Sequence, residues 1–212
     1  MSKIAVYRAI FNNWDNVLPI RYKVDHYLFT DNLKADKYKI ITVDPGEHFR
    51  RANRKYKMQP FDFLPSYDYY IYLDGSIDIL YSPRKLIKMF LKDCDIAVLK
   101  HPWRSCIYDE IEECINLGYI DTNKGRKQRE FLINKGYPRR NGLTENGVIL
   151  WRNTELNQRF GREWYKFYMH FTQRDQLSFG YIAWRMGVKY KAIEDNIRRK
   201  PVYFKYIEHK RG

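Results

Sequence analysis

The chain has 212 residues, and what it lacks narrows its class first. No stretch approaches the roughly 18 consecutive apolar residues of a membrane-crossing helix. The opening "MSKIAVYRAIFNNWD" carries one early lysine and an apolar run broken by Arg8 and Asn12, with no small-residue cleavage site, so no signal peptide is expected. Cysteine is scarce. Cys94, Cys106 and Cys114 form no CxxC or CxxH spacing, which argues against a disulfide framework or structural zinc and for buried thiols in a reducing, cytoplasmic setting. Glycine-rich phosphate cradles are missing too: no GxGxxG follows the first apolar run, and no GxxxxGK[ST] occurs, nor GxSxG or HExxH. Dinucleotide-binding and P-loop readings therefore lose their support. Repeats, low-complexity tracts and Pro/Ser-rich linkers are absent, so residues 1–212 are expected to form one domain.

Acid is the other shortage. Lys and Arg number 39 against 25 Asp and Glu, a formal net charge of +14 that calls for an anionic partner: nucleic acid, a membrane surface or a phosphorylated small molecule. The basic residues concentrate at 49–57, at 123–140 and from Arg198 to Arg211. With 44% hydrophobic and 30% charged residues interleaved throughout, the profile is globular rather than disordered.

Periodicity supplies the elements. Apolar, β-branched runs at 3–11, 25–32, 37–46, 67–74, 94–101, 146–153 and 188–193 read as strands. Helices are expected over 47–58, where Arg50, Arg54 and Lys57 would share a face, and from Pro83 behind the N-cap Ser82. Three more follow, through "YDEIEECINLG", over 155–171 and through "RDQLSFGYIAWRMG". Alternating strands and helices predict an α/β fold with a mostly parallel central sheet flanked by helices, whose ligands sit beyond the carboxyl ends of the strands.

"YDYYIYLDGSIDIL" stands out against that frame. A buried-looking strand ends on Asp74-Gly75-Ser76, at the edge where a ligand belongs. Two readings are open. Asp74 holds a metal or donor group, with Gly75 allowing close approach, or Asp74-Gly75 turns a hairpin into "SIDIL". Asp78 is expected to face solvent.

These pieces, in this order, resemble the GT-A glycosyltransferases, a Rossmann-like α/β class that uses nucleotide sugars. "YDYYIYLDG" resembles the strand leading to their Asp-x-Asp motif, "KIAVYRAIF" the first nucleotide-binding strand and "YLFTDN" the second. "ENGVILWRN" is similar to the strand beside the donor sugar, and "RDQLSF" to the Asp-Gln opening of the following helix. More narrowly, "HPWRSCIYDE" with "RDQLSFGYIAW" resembles the TOD1/MUCI70-like group. Nearly all of residues 3–209 also resembles the N-terminal glycosyltransferase domain of a chlorovirus protein that builds capsid glycans, which implies the host cytoplasm.

The resemblance implies a nucleoside-diphosphate sugar donor, UDP-linked, a glycan acceptor on a glycoprotein, and Mn2+ or Mg2+ held by Asp74, Ser76 and His209. Ser76 stands where the second acid of the motif is expected, a departure with three readings: Ser76 contacts the metal through its hydroxyl or a water, Asp78 compensates, or the metal is held more weakly. Donor contacts are assigned to Tyr7, Ala9 and Phe11 on the first strand, Asp31 on the second, and Arg51, Arg54 and Lys55 on the helix before Asp74. Gly75, Asn146 and Gly147 complete the donor side, and His101 and Arg104, with Trp103, are sugar contacts. Asp175 is the first choice for a base that deprotonates the acceptor, with Asp109 or Glu110 next, although Asp also suits a plain helix N-cap. The competing reading is a single-strand nucleic-acid module built on basic runs interleaved with aromatics.

Overall fold

A computed structural model describes residues 2–209 of the chain. A seven-stranded sheet runs through it in the order β3-β2-β1-β4-β7-β6-β8. These are β1 (Ile4–Ala9), β2 (Asp25–Thr30), β3 (Lys39–Thr42), β4 (Tyr69–Leu73), β6 (Ile96–Lys100), β7 (Thr144–Arg152) and β8 (Tyr190–Ile193). The pairings β1·β2, β2·β3, β1·β4 and β6·β8 are parallel, whereas β7 lies antiparallel to both β4 and β6. The expected mostly parallel α/β sheet is therefore present.

Alternation along the central strands builds two cores. Ala5, Tyr7, Tyr70, Tyr72, Ile96, Val98, Ile149 and Trp151 face one layer, which also takes Met58, Phe160, Trp164 and Phe179 from the helices. Ile4, Val6, Ile71, Leu73, Ala97, Leu99, Val148 and Leu150 face the other, with Leu86 and Ile87. Strands covered on both sides have to be apolar nearly throughout, which is why they read as continuous runs.

The helices are α1 (Phe49–Met58), a single turn α2 (Pro60–Phe63), α3 (Pro83–Phe90), α4 (Ile107–Asn116), α5 (Thr122–Asn134), α6 (Glu155–His170) and α7 (Gln176–Met186). Helix α5 lies in a stretch expected only to be basic. Its start is nevertheless written locally, because the Asp121 side chain accepts the Lys124 amide at 2.9 Å as an N-cap. Cys106 and Cys114 are buried and all three thiols are free. No helix among the described residues is long and apolar enough to cross a membrane.

Of the two readings of Asp74-Gly75, the hairpin does not form. The Ile77 amide does donate to the Asp74 carbonyl at 3.0 Å, closing a tight turn. Strand β5 (Ile77–Ile79) then leaves β4 and pairs antiparallel with β9 (Phe204–Tyr206), a strand near the C-terminus that was not expected. Asp78 is buried at 4% exposure rather than solvent-facing, because Arg21 donates to its Oδ2 from Nε and Nη2 at 2.9 and 2.7 Å. Lys210 and Arg211, the end of the basic tail, lie outside the described residues.

Candidate active site

Strands β1 and β4 run the same way, so Ala9 and Asp74 emerge at one edge of the sheet. Antiparallel β7 brings its beginning, Glu145-Asn146-Gly147, to that same edge, where the Asp74 amide donates to the Gly147 carbonyl at 2.8 Å. A cavity of about 600 Å³ opens there, between α1, the start of α7 and the segment after β9. Both glycines at its floor are closely approached by side chains, Gly75 the more tightly. A Cβ on Gly75 would stand 2.4 Å from Asp15 Oδ2, and one on Gly147 would stand 2.6 Å from Ile77 Cδ1 and 3.2 Å from Asp74 Oδ2.

Asp74 is held from three sides. Tyr72 Oη donates to its Oδ1 at 2.7 Å, and the Lys57 ammonium approaches the same oxygen at 3.4 Å. From behind, the buried Arg8 donates from Nη1 to the Asp74 carbonyl at 2.7 Å. Arg50, Asn53, Arg54 and Lys57, spaced i, i+3, i+4, i+7 on α1, all line the cavity. Asn53 is fixed by donating from Nδ2 to the Ala9 carbonyl at 2.6 Å.

Asp175 caps α7, accepting the Gln176 amide at 3.2 Å, and is paired with Lys57 Nζ at 2.6 Å and Arg54 Nε at 3.2 Å. Burial would raise its pKa, but Arg54 and Lys57 outweigh that and hold it well below the usual carboxylate range. Its charged form is thus favoured and clamped by two cations, which suits the N-cap and a charge-positioning role better than proton abstraction. Arg50 and Arg174 line the cavity with no carboxylate within 4.0 Å among the described residues; Arg50 stacks near Trp14 and Arg174 near Tyr119. Asn146 is 2% exposed and lines the cavity; its Oδ1 accepts from Thr144 Oγ1 at 2.8 Å, whereas Nδ2 is buried without a partner. A buried amide left this way is primed for an acceptor oxygen on a ligand.

Of the residues expected from sequence, Ala9, Phe11, Arg54, Asp74, Gly75, Ser76, Asn146, Gly147, Asp175 and His209 line this one cavity. The others lie elsewhere, each for a visible reason. Tyr7 is fully buried under the sheet edge, its hydroxyl donating to the Lys57 carbonyl at 2.8 Å, so no base can stack on it. Asp31 accepts the Asn12 amide at 2.9 Å at the end of β2. Arg51 and Lys55 are rotated off the cavity face of α1, toward Gln173 (3.2 Å) and the Phe63 ring (5.2 Å to centroid). His101 is buried, with its pKa lowered by burial, and its Nδ1 accepts the Arg104 amide at 3.0 Å. Arg104 pairs with Glu110, and Asp109 pairs with Arg139 at 3.1 Å. The Arg104–Glu110 pair knits the loop after β6 to α4, and the Asp109–Arg139 pair ties α4 to the segment after α5, instead of reaching a donor.

Sequence reading passed over Asp15, Asn53, Arg174 and Arg198. The spacing of α1 pointed to Asn53; Asp15 sits in the aperiodic "NNWDN" loop, where no pattern marks it.

For a divalent cation, Asp74, Ser76 and His209 share the cavity, but no three His, Cys, Asp or Glu converge as a preformed metal cluster among the described residues. The carboxylate, hydroxyl and imidazole set fits Mn2+ or Mg2+ that draws its remaining ligands from substrate phosphates, as such ions commonly do.

Residues 1–206 match the TOD1/MUCI70, glycosyltransferase-like domain family. The chain belongs to that family. The TOD1/MUCI70 domain is 24% identical over 170 residues to "Probable hexosyltransferase MUCI70" of Arabidopsis thaliana, covering 74% of this chain and 29% of that relative. The chain thus spans under a third of the relative it matches. In fold, the TOD1/MUCI70 domain is similar to mouse xyloside xylosyltransferase 1 (TM-score 0.52, 10% identity, 91% of this chain and 85% of that one). It is also similar to the WbbM bifunctional glycosyltransferase (TM-score 0.53, 10% identity, 91% and 39%). A third likeness is to GlyE of Streptococcus pneumoniae (TM-score 0.50, 14% identity, 92% and 46%). The architecture is the GT-A glycosyltransferase fold.

Proposed function

We propose that this domain is a metal-dependent glycosyltransferase that moves a hexose from a UDP-linked sugar to a hydroxyl of a glycan acceptor. The observation that carries the reading is the cavity itself: Asp74 fixed at the carboxyl end of β4, cations without carboxylate partners on its walls, and the orphaned Asn146 amide.

Mn2+ or Mg2+ on Asp74, Ser76 and His209 would supply Lewis-acid stabilisation of the departing diphosphate. The chain does the rest. Arg50 and Arg174 offer guanidinium groups to phosphate oxygens, while half-buried Arg54 and buried Lys57, paired with Asp175, keep the acid end of the site in place. Asn146 Nδ2 donates to a sugar hydroxyl, and Phe11 with Ala9 borders the base.

In the transfer, a bond forms between the acceptor oxygen and the anomeric carbon. The bond from that carbon to the diphosphate oxygen breaks, with its electron pair leaving on the diphosphate. The carboxylates lining the cavity are all engaged: Asp15 with His209, Asp74 and Asp175 with Lys57, Glu145 with Arg198 at 2.5 Å. That engagement favours the departing diphosphate oxygen, rather than Asp175, as the group that takes the acceptor proton. A glycoprotein acceptor, the viral capsid setting and a cytoplasmic location rest on sequence resemblance.

Thermal-shift measurement with UDP, GDP and their sugars, each with and without Mn2+, tests the reading. A metal-dependent shift by a nucleoside diphosphate that disappears in Asp74→Asn is expected. A shift with single-stranded oligonucleotide but with no nucleotide would replace the reading with the nucleic-acid module.

A further inference from the structure

The motif of Asp74-Gly75-Ser76 is one acid short, yet the cavity wall beside it carries another. Asp15 is 9% exposed, lies against Gly75 closely enough to exclude any larger residue there, and contacts His209 Nδ1 through Oδ1 at 2.6 Å. Among the described residues no Lys or Arg pairs with Asp15; its side-chain partner is the His209 ring. His209 is placed by the tail: β9 pairs with β5, and the Ile207 amide donates to the Ser76 carbonyl at 2.7 Å. The orphaned Nδ2 of Asn146, in the same cavity, independently marks a ligand there.

We propose that Asp15 is the positioning residue of the cation site. It orients His209 and, through that ring, lends the site the negative charge that Ser76 does not. A carboxylate accepts only, so Nδ1 carries the proton and the Nε2 lone pair is left for a cation. Ligating histidines commonly bind this way, with a carboxylate on the other ring nitrogen fixing tautomer and raising basicity. Gly75 follows from the same arrangement, since its missing side chain is the space Asp15 occupies. The inference rests on the nucleotide-sugar reading above.

The test is the apparent Kd for Mn2+ at saturating UDP, followed by thermal shift in the wild type, Asp15→Asn, His209→Ala, their double variant, and Asp15→Asn with Ser76→Asp. Asp15→Asn should weaken Mn2+ on the order of tenfold or more while metal-free UDP binding is kept. It should add little in the His209→Ala background, and Ser76→Asp should restore affinity. An unchanged Mn2+ Kd in Asp15→Asn overturns the inference and leaves the donor reading standing. Equal loss of metal-free UDP binding, or full additivity with His209→Ala, also overturns it. A wild type that binds UDP without any Mn2+ dependence removes the cation site, and one that binds no nucleoside diphosphate removes the donor reading with it.

Discussion

Lys57 offers a sharp test of how the site is held. The residue is 1% exposed, with its ammonium 2.6 Å from Asp175 Oδ2, 3.4 Å from Asp74 Oδ1 and 5.0 Å from the centroid of the Tyr72 ring. Lys57→Met keeps the length and removes the charge, leaving Asp175 (6% exposed) with Arg54 alone at 3.2 Å. Breaking a buried ion pair from one side costs about 3–5 kcal/mol, because the remaining charge stays buried. With Arg54 still present the lower end applies, about 3 kcal/mol. At about 2–4 °C per kcal/mol for a domain of this size, Tm should fall by about 6–12 °C. Calorimetry and urea unfolding both read this without any ligand. Removing both partners in Lys57→Met with Asp175→Asn should cost less than the sum, with a coupling of about 1–3 kcal/mol. A single variant within about 1 kcal/mol of wild type, or a strictly additive pair, would refute the reasoning.

Two further outcomes follow from packing and burial. Gly161→Ala puts a Cβ 2.1 Å from the Met58 carbonyl oxygen, where α6 crosses the end of α1; backbone must move, so about 1–3 kcal/mol of stability should be lost in urea unfolding, against almost none if the helices separate freely. Burial pushes the His26 ring down to about 4, partly opposed by its bond to the Tyr22 carbonyl. Its folded pKa lies below the unfolded value of about 6.5, so the neutral ring costs nothing above that pH. Stability should then fall by about 3 kcal/mol as pH drops toward 4, and His26→Gln should flatten that slope in pH-dependent unfolding.

Much of the architecture is legible in one dimension. Strands buried on both faces are long apolar runs, and α1, α6 and α7 carry helical spacing, so element type and a mostly parallel sheet follow from local pattern. The cavity face of α1 was equally readable, since Arg50, Arg54 and Lys57 share a side; Arg51 and Lys55 fall off it by the same 3.6-residue period. Helix α5 and strand β9 were missed because both are largely polar or short, though the Asp121 cap and the alternation of Phe204, Lys205 and Tyr206 were present as signals.

Local sequence thus determined the seven strands of the main sheet, most helices and the position of Asp74 at a strand end. Only the tertiary structure decided what surrounds that acid. The partners come from far along the chain: Lys57 from α1, Gly147 from antiparallel β7, Asp175 from the start of α7 and His209 from beyond β9. No periodicity spans such separations. Whether a carboxylate ends as base, N-cap, clamp or metal neighbour depends on the charges folding places within a few ångströms of it, and these are set by strand order and direction rather than by the residue or its neighbours in sequence.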